Sequence, residues 1–231
     1  MEWSTFLEGR IPYLQYLYSY QQKLVQTALS WEELLTRAQG AQGLALVTVD
    51  AVRGFCSEGP MHSPQMAAII PTIVNYLTKA HQLGVRELLF TCDNHLAESR
   101  EFRAYPAHCL AGSSESRLEE RLENLECAEL FKIFPKESIS SLVDTRLLEY
   151  LEGLPNLRQI VLMGGVTDLC LYHLAAGLLF FAITRRHPWQ LIIPAQAVAT
   201  FDSPTHDAGL LQPLFLEHLQ SMGVEVVGGL T

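Results

Sequence analysis

Residues 159–184 read QIVLMGGVTDLCLYHLAAGLLFFAIT. Gln159–Met163 is a short apolar run without polar alternation, Gly164-Gly165 interrupts it, and from about residue 168 the apolar residues follow a helical pattern to 184. A strand, a tight exit and a helix in that order form one unit of an α/β sheet. The same texture recurs on both sides. Leu44–Val49, Glu87–Thr91, Leu130–Phe134, Gln190–Ile193 and Val224–Val227 are the other candidate strands, with helical stretches near 64–82, 114–125, 143–152 and 206–222 between them. Largely apolar strands separated by helices imply a parallel sheet covered on both faces. The expectation is an α/β protein: a three-layer α/β/α fold with a mostly parallel sheet of about six strands.

Residues 1–40 have a different texture and predict an N-terminal helical extension to a domain spanning 41–231. Leu14, Leu17, Leu24, Ala28 and Leu35 recur at spacings of three, four and seven, which predicts one apolar helical face. Ser30 before Trp31-Glu32-Glu33 reads as an N-cap with its capping-box glutamate, which allows two helices rather than one.

Composition removes several classes of function. The chain has 231 residues, of which 48% are hydrophobic and 18% charged, enough apolar matter for one substantial core. Its net charge of −9, from 25 acidic and 16 basic residues without a basic cluster, disfavours a nucleic-acid partner. The longest apolar run, Leu174 to Ile183, falls well short of the ~20 residues that span a bilayer. Glu2 and Glu8, with no basic stretch leading into an apolar one, do not read as a signal peptide. Five scattered cysteines fit a reducing cytoplasm better than a disulfide framework.

In open parallel sheets, ligands bind beyond the carboxyl ends of the strands. Four successive strand ends carry Asp50, then Asp93-Asn94-His95, then Lys136, then Gly164 through Cys170: carboxylates, an imidazole, an amine and a thiol. Cys170 falls in the first turn of its helix, where Thr167 or Asp168 can cap and where free N–H groups and the helix dipole favour a thiolate or hold an oxyanion. His173, three residues on, is a second conceivable partner for the thiol, although a helical neighbour at that spacing points along the helix surface. Asp93-x-His95 has a spacing that places two ligands on one ion, and Tyr105-Pro106-Ala107-His108-Cys109 follows it.

These residues resemble the isochorismatase-like cysteine hydrolases, and within them the nicotinamidase branch, over about residues 43–231. Val47-Thr48-Val49-Asp50 with Phe55-Cys56 is similar to the family's first-strand motif. Gly164-Gly165-Val166-Thr167-Asp168-Leu169-Cys170 is similar to its nucleophile motif, and Ile193–Phe201 with His206 to its late strand and following helix. The resemblance implies a catalytic triad of Asp50, Lys136 and Cys170, an oxyanion hole from the N–H groups of Val166 and Cys170, and a cis peptide at Gly165–Val166. It implies one divalent metal held by Asp93, His95 and His108, with Glu101 rather than Glu98 as a fourth ligand. Two histidines with one or two carboxylates suit Zn²⁺ first, with Fe²⁺ or Mn²⁺ as alternatives. Phe55 and Tyr105 would flank a flat substrate ring. Val52, Arg53-Gly54, Tyr105 and Gln196 depart from the family's usual residues, Tyr105 standing where tryptophan is usual.

The activity implied is hydrolysis of nicotinamide to nicotinate and ammonia in NAD salvage. The alternatives are a related hydrolase of another small amide, carbamoyl or ureido substrate, or a non-catalytic interaction module. The implied partner is a small-molecule amide, and the extension makes a homo-oligomer conceivable.

Overall fold

The central strand β2 (Leu44–Val49) is buried along its whole length, with alternate side chains serving two separate cores. Leu44 and Leu46 face one layer and Ala45, Val47 and Val49 the other, which is why the run shows no polar alternation. The computed structural model of the chain describes residues 2–231. Ahead of β2 lie α1 (Trp3–Glu8), α2 (Ile11–Leu24), β1 (Ala28–Leu29) and α3 (Trp31–Arg37). After it come α4 (Arg53–Cys56), α5 (Pro64–Gln82), β3 (Glu87–Asp93), α6 (Glu120–Glu123), β4 (Phe131–Lys136) and α7 (Leu147–Glu152). The last third contains β5 (Gln159–Gly165), α8 (Cys170–Arg185), β6 (Gln190–Pro194), β7 (Val198–Ala199), α9 (Ala208–Met222), β8 (Glu225–Val227) and β9 (Gly229–Leu230).

The main sheet has the order β4-β3-β2-β5-β6-β8, with β7 pairing β5, and every pair is parallel. It thus has seven strands rather than six, because the two-residue β7 is too short to leave a hydrophobic run in the sequence. α3 and α5 pack with one face, and α7, α8 and α9 with the other, giving the expected three layers. Ser63 caps α5 by accepting from Met66 N–H at 3.1 Å, and Pro64 opens the helix. No helix among the described residues is long and apolar enough to cross a membrane.

Two expectations needed correction. The predicted helix over 114–125 shrinks to α6. Arg53 and Gly54 N–H donate to the carbonyls of Arg117 and Glu115, and Val52 bridges Leu118, so that segment's backbone is taken by the loop after β2. In the extension, Leu17 and Leu24 are buried as predicted, but Leu14 is exposed and Ala28 belongs to β1. One helical period does not run through, because the chain turns after Val25 and pairs β1 with β9. Ser30 does cap α3, accepting from Glu33 N–H at 3.1 Å.

Gly164 sits where β5 leaves the sheet, at φ +94°, and a Cβ there would lie 2.0 Å from the Val49 carbonyl oxygen. Only glycine meets both conditions. Gly164→Ala is expected to cost about 3 kcal/mol or more, read as a lower melting temperature and denaturation midpoint.

Candidate active site

The chain builds β2, β3 and β4 outward in one direction, then returns to place β5 on the other side of β2. The β2/β5 boundary is therefore the switch point of the sheet, where a crevice opens at the carboxyl ends. Register decides what meets there. Asp93 pairs with Lys136 across β3 and β4, Val49 pairs with Thr91 and with Gly164, and Asp50 follows Val49 directly. Four distant sequence positions thus become lateral neighbours.

The first group is Asp50, Lys136 and Cys170, all buried. Asp50 adopts φ +51°, a left-handed turn that aspartate tolerates better than most residues. Its Oδ1 accepts from Asp93 N–H at 3.0 Å, and its Oδ2 lies 2.9 Å from Lys136 Nζ. Lys136 also donates to Asp93 Oδ1, and its Nζ is 3.7 Å from Cys170 Sγ. One ammonium therefore touches both carboxylates and the thiol. Burial and the neighbouring Asp93 push the Asp50 carboxyl up to about 6, against the pull of Lys136. Burial opposes the Lys136 charge, but the Asp50 and Asp93 carboxylates outweigh it and keep the ammonium protonated.

Cys170 opens α8, where burial works against the pull of the helix terminus toward thiolate. Burial drives the thiol well above its ordinary range; Lys136 opposes this, while Asp50 and Asp93 reinforce it. A helix terminus contributes only ~0.3–1 kcal/mol in most settings, too little to offset full burial beside two carboxylates. The resting group is a thiol, and its proton needs a nearby acceptor. The capping expectation also changes, since Leu169 is the N-cap and no side chain caps the helix. His173 does not reach the thiol: its Nδ1 lies 2.8 Å from the Leu169 carbonyl.

The Gly165–Val166 peptide is cis, as the resemblance implied. The N–H groups of Val166 and Cys170 have no acceptor among the described residues and remain free for an oxyanion.

The second group is Asp93, His95 and His108, whose ligand atoms lie within 4.8 Å of one another. Each histidine Nε2 is 3.5 Å from Asp93 Oδ2. His108 Nδ1 lies 2.8 Å from the Pro106 carbonyl, which turns its Nε2 toward the carboxylate. His95 is fully buried, and neither of its ring nitrogens has a hydrogen-bond partner. Unpaired buried polar atoms are costly, and a cation between the three side chains would engage one nitrogen of each histidine, so the donor set fits a divalent ion. Lys136, His108 and His95 together hold Asp93 ionised against the effect of burial. Glu101 lines the same cavity but lies outside this three-residue set, while Glu98 lines only the adjoining open groove, which shares Glu101 with the cavity.

Both groups face one small cavity of about 40 Å³, with Asp50, Cys170, Asp93 and His108 in its lining. Its walls are apolar, and Phe55 and Tyr105 are among them; their rings lie 5.5 and 6.4 Å from that of His108. Sequence reasoning missed Met66, Ile139 and Phe201 in the same walls. It also missed a support beneath them. Asp168 accepts from Thr200 Oγ1 and pairs with His206 Nε2 at 2.8 Å, and the His206 ring stacks on Phe201 at 3.8 Å. Thus the segment entering α8 is tied to one cavity wall. A histidine so far along the chain offered only its place in a family pattern as a signal.

The chain is similar to known proteins over most of its length. The family described as the isochorismatase domain matches residues 44–226. Nicotinamidase 1 of Arabidopsis thaliana is 27% identical over 184 residues, covering 71% of this chain and 72% of the relative. The crystal structure of a nicotinamidase from Bacillus subtilis superposes with a TM-score of 0.66 at 25% identity, over 80% of this chain and 99% of that one. A pyrazinamidase from Pyrococcus horikoshii, solved in complex with zinc, superposes with a TM-score of 0.64 at 22% identity, over 80% and 98% of the two chains.

Proposed function

The chain belongs to the isochorismatase-domain family, and we propose that within it the protein is a metal-containing cysteine amidohydrolase, a nicotinamidase that converts nicotinamide and water to nicotinate and ammonia. The observation that carries this reading is that Cys170, Asp50, Asp93 and His108 line one apolar-walled cavity, with Lys136 touching both carboxylates and the thiol.

In the proposed reaction, Asp50 takes the thiol proton as Cys170 Sγ attacks the carboxamide carbon. A carboxyl group with a pKa near 6 is suited both to accept that proton and to return it near neutrality. The oxyanion accepts hydrogen bonds from the Val166 and Cys170 N–H groups. Protonated Asp50 then gives its proton to the departing nitrogen, ammonia leaves, and an acyl thioester remains on Cys170. A water molecule deprotonated by Asp50 attacks the thioester, releasing the carboxylic acid and restoring the thiol. Lys136 orients Asp50 throughout and balances the two buried carboxylates.

Asp93, His95 and His108 would hold the divalent ion, zinc foremost. When bound, the ion supplies a coordination position for the pyridine nitrogen of the substrate ring. Phe55 and Tyr105 flank that ring, contributing ~0.5–1.5 kcal/mol beyond burial. All five cysteines are free, which supports a reducing, cytoplasmic setting.

The test is ammonia release from nicotinamide, pyrazinamide, an aliphatic amide and a ureide, compared side by side. Nicotinamide is expected to lead in kcat/KM, exceeding the aliphatic amide by about tenfold. Tyr105→Ala is expected to raise KM more than it lowers kcat. Equal or better turnover of the ureide would move the protein to the carbamoyl and ureido hydrolases.

A further inference from the structure

Helix α2 carries two apolar stripes, and the chain covers only one. The inner stripe packs toward α9, where Leu17 and Leu24 are buried, Tyr16 donates to Glu217 at 3.0 Å and Tyr20 to Gln220 at 2.8 Å. The outer stripe is Ile11, Leu14, Tyr18 and Val25, spaced by three, four and seven residues and 44–65% exposed. That spacing is the seam of a helix pair, and it lies roughly a quarter to a third of a turn round the helix from the stripe that α9 covers. Next to it, the six-residue α1 has no buried residue, with Trp3, Phe6 and Leu7 open to solvent. So short a helix has little stability unless something packs on it.

We propose that this surface is an isologous dimer interface, covered by the same surface of a second copy of the chain. Two observations favour a second copy. The first is area. Allowing ~200 Å² for a whole aromatic side chain and less for an aliphatic one, the exposed parts of α1 and of the outer stripe amount to on the order of 600 Å² of apolar surface. A stable interface takes ~800 Å² from each partner, of which ~65% is apolar at its core, so the patch has the right size, and it lies at the upper end of what a monomer exposes. The second is charge. The chain carries −9, yet residues 3–25 contain one acidic residue, Glu8, against Arg10 and Lys23. This is a surface through which two acidic copies can approach without strong repulsion, and its aromatic, charge-poor makeup is that of an interface core.

The stripe fixes the pairing. Tyr18 is the midpoint between Ile11 and Val25, so in an antiparallel, two-fold arrangement Tyr18 meets Tyr18 of the other copy and Ile11 meets Val25. No described residue of the extension lines the catalytic cavity, so the interface is independent of the proposed chemistry.

The two-fold relation makes a sharp test possible by light scattering and sedimentation of the full chain at about 10–50 µM. The wild type is expected to be dimeric. Tyr18→Glu and Tyr18→Lys, each placing like charges on the two-fold axis, are expected to weaken the dimer at least ~100-fold and run as monomers. Their equimolar mixture is expected to recover the dimer. Unchanged circular dichroism shows that both variants remain folded, and Phe180→Glu, an exposed aromatic on α8, should stay dimeric. A monomeric wild type, dimeric single variants, or a mixture that stays monomeric would each overturn the proposal. A wild type that is monomeric alone but sediments with 3:1 phosphatidylcholine–phosphatidylserine vesicles would overturn it in favour of a lipid surface.

Discussion

Cys170→Ala is expected to abolish amide turnover, with kcat falling on the order of 10⁴–10⁶-fold, while the melting temperature changes by only a few degrees. The substitution removes one sulfur from the start of α8 and no buried charge, so the lost rate reports the nucleophile alone. Ammonia release together with mass spectrometry of the trapped acyl adduct checks both halves, because the adduct should map to Cys170. Substantial turnover in the variant, or an adduct on Cys109, would sink the assignment. Asp50→Asn is expected to lose on the order of 10³–10⁴-fold, since the proposed reaction routes every proton transfer through that one carboxylate. It should also be less stable, because it takes one of two counter-charges from buried Lys136, leaving Asp93 as the other. Cys170→Ala and Asp50→Asn thus separate chemistry from folding in a way neither does alone.

The second large effect is expected at the metal site. His95→Ala and His108→Ala should each reduce bound divalent metal from about one per chain to near zero, with turnover falling in parallel. Removing one of three ligands leaves too few donors to compete with water, and losing even an outer-shell partner typically costs ~10–100-fold in affinity. Elemental analysis of freshly purified protein is the measurement. Unchanged metal in both variants would place the ion elsewhere and remove the main support for a pyridine ring as substrate. Glu101→Gln should have a much smaller effect, because that carboxylate stands apart from the three-residue set.

The candidate site was legible wherever its residues sit at the end of a hydrophobic run. Asp50, Asp93, Lys136 and the Gly164–Cys170 segment stand out because four successive strand ends carry them together, at the edge where such sheets bind ligands. Their mutual contact was not legible, since it depends on the strand order β4-β3-β2-β5, which the composition of the runs does not encode. The walls of the cavity were harder. Met66 lies at the start of α5 and Phe201 in the loop after β7, and both look like ordinary core residues until the loops are folded over the sheet. The surroundings of Cys170 were legible only in part: proximity to a helix terminus can be read from sequence, whereas burial beside Lys136, Asp50 and Asp93 cannot. The two-residue strands β1, β7 and β9 left no periodic trace. They exist because partner backbones approach them, not because their own residues favour extension.

The pairing of β1 with β9 ties residues 28–29 to residues 229–230, and Trp31 N–H donates to the Thr231 carbonyl at 2.9 Å. In a growing polypeptide these partners are made some 200 residues apart. At ~5–20 residues per second, the earlier segment waits on the order of 10–40 s before its mate leaves the ribosome. During that interval α1, α2 and the aromatic surface they carry have neither β9 nor the α9 surface to rest on. The extension is thus made long before the surfaces it docks on, and its greasy helices stay uncovered for that interval.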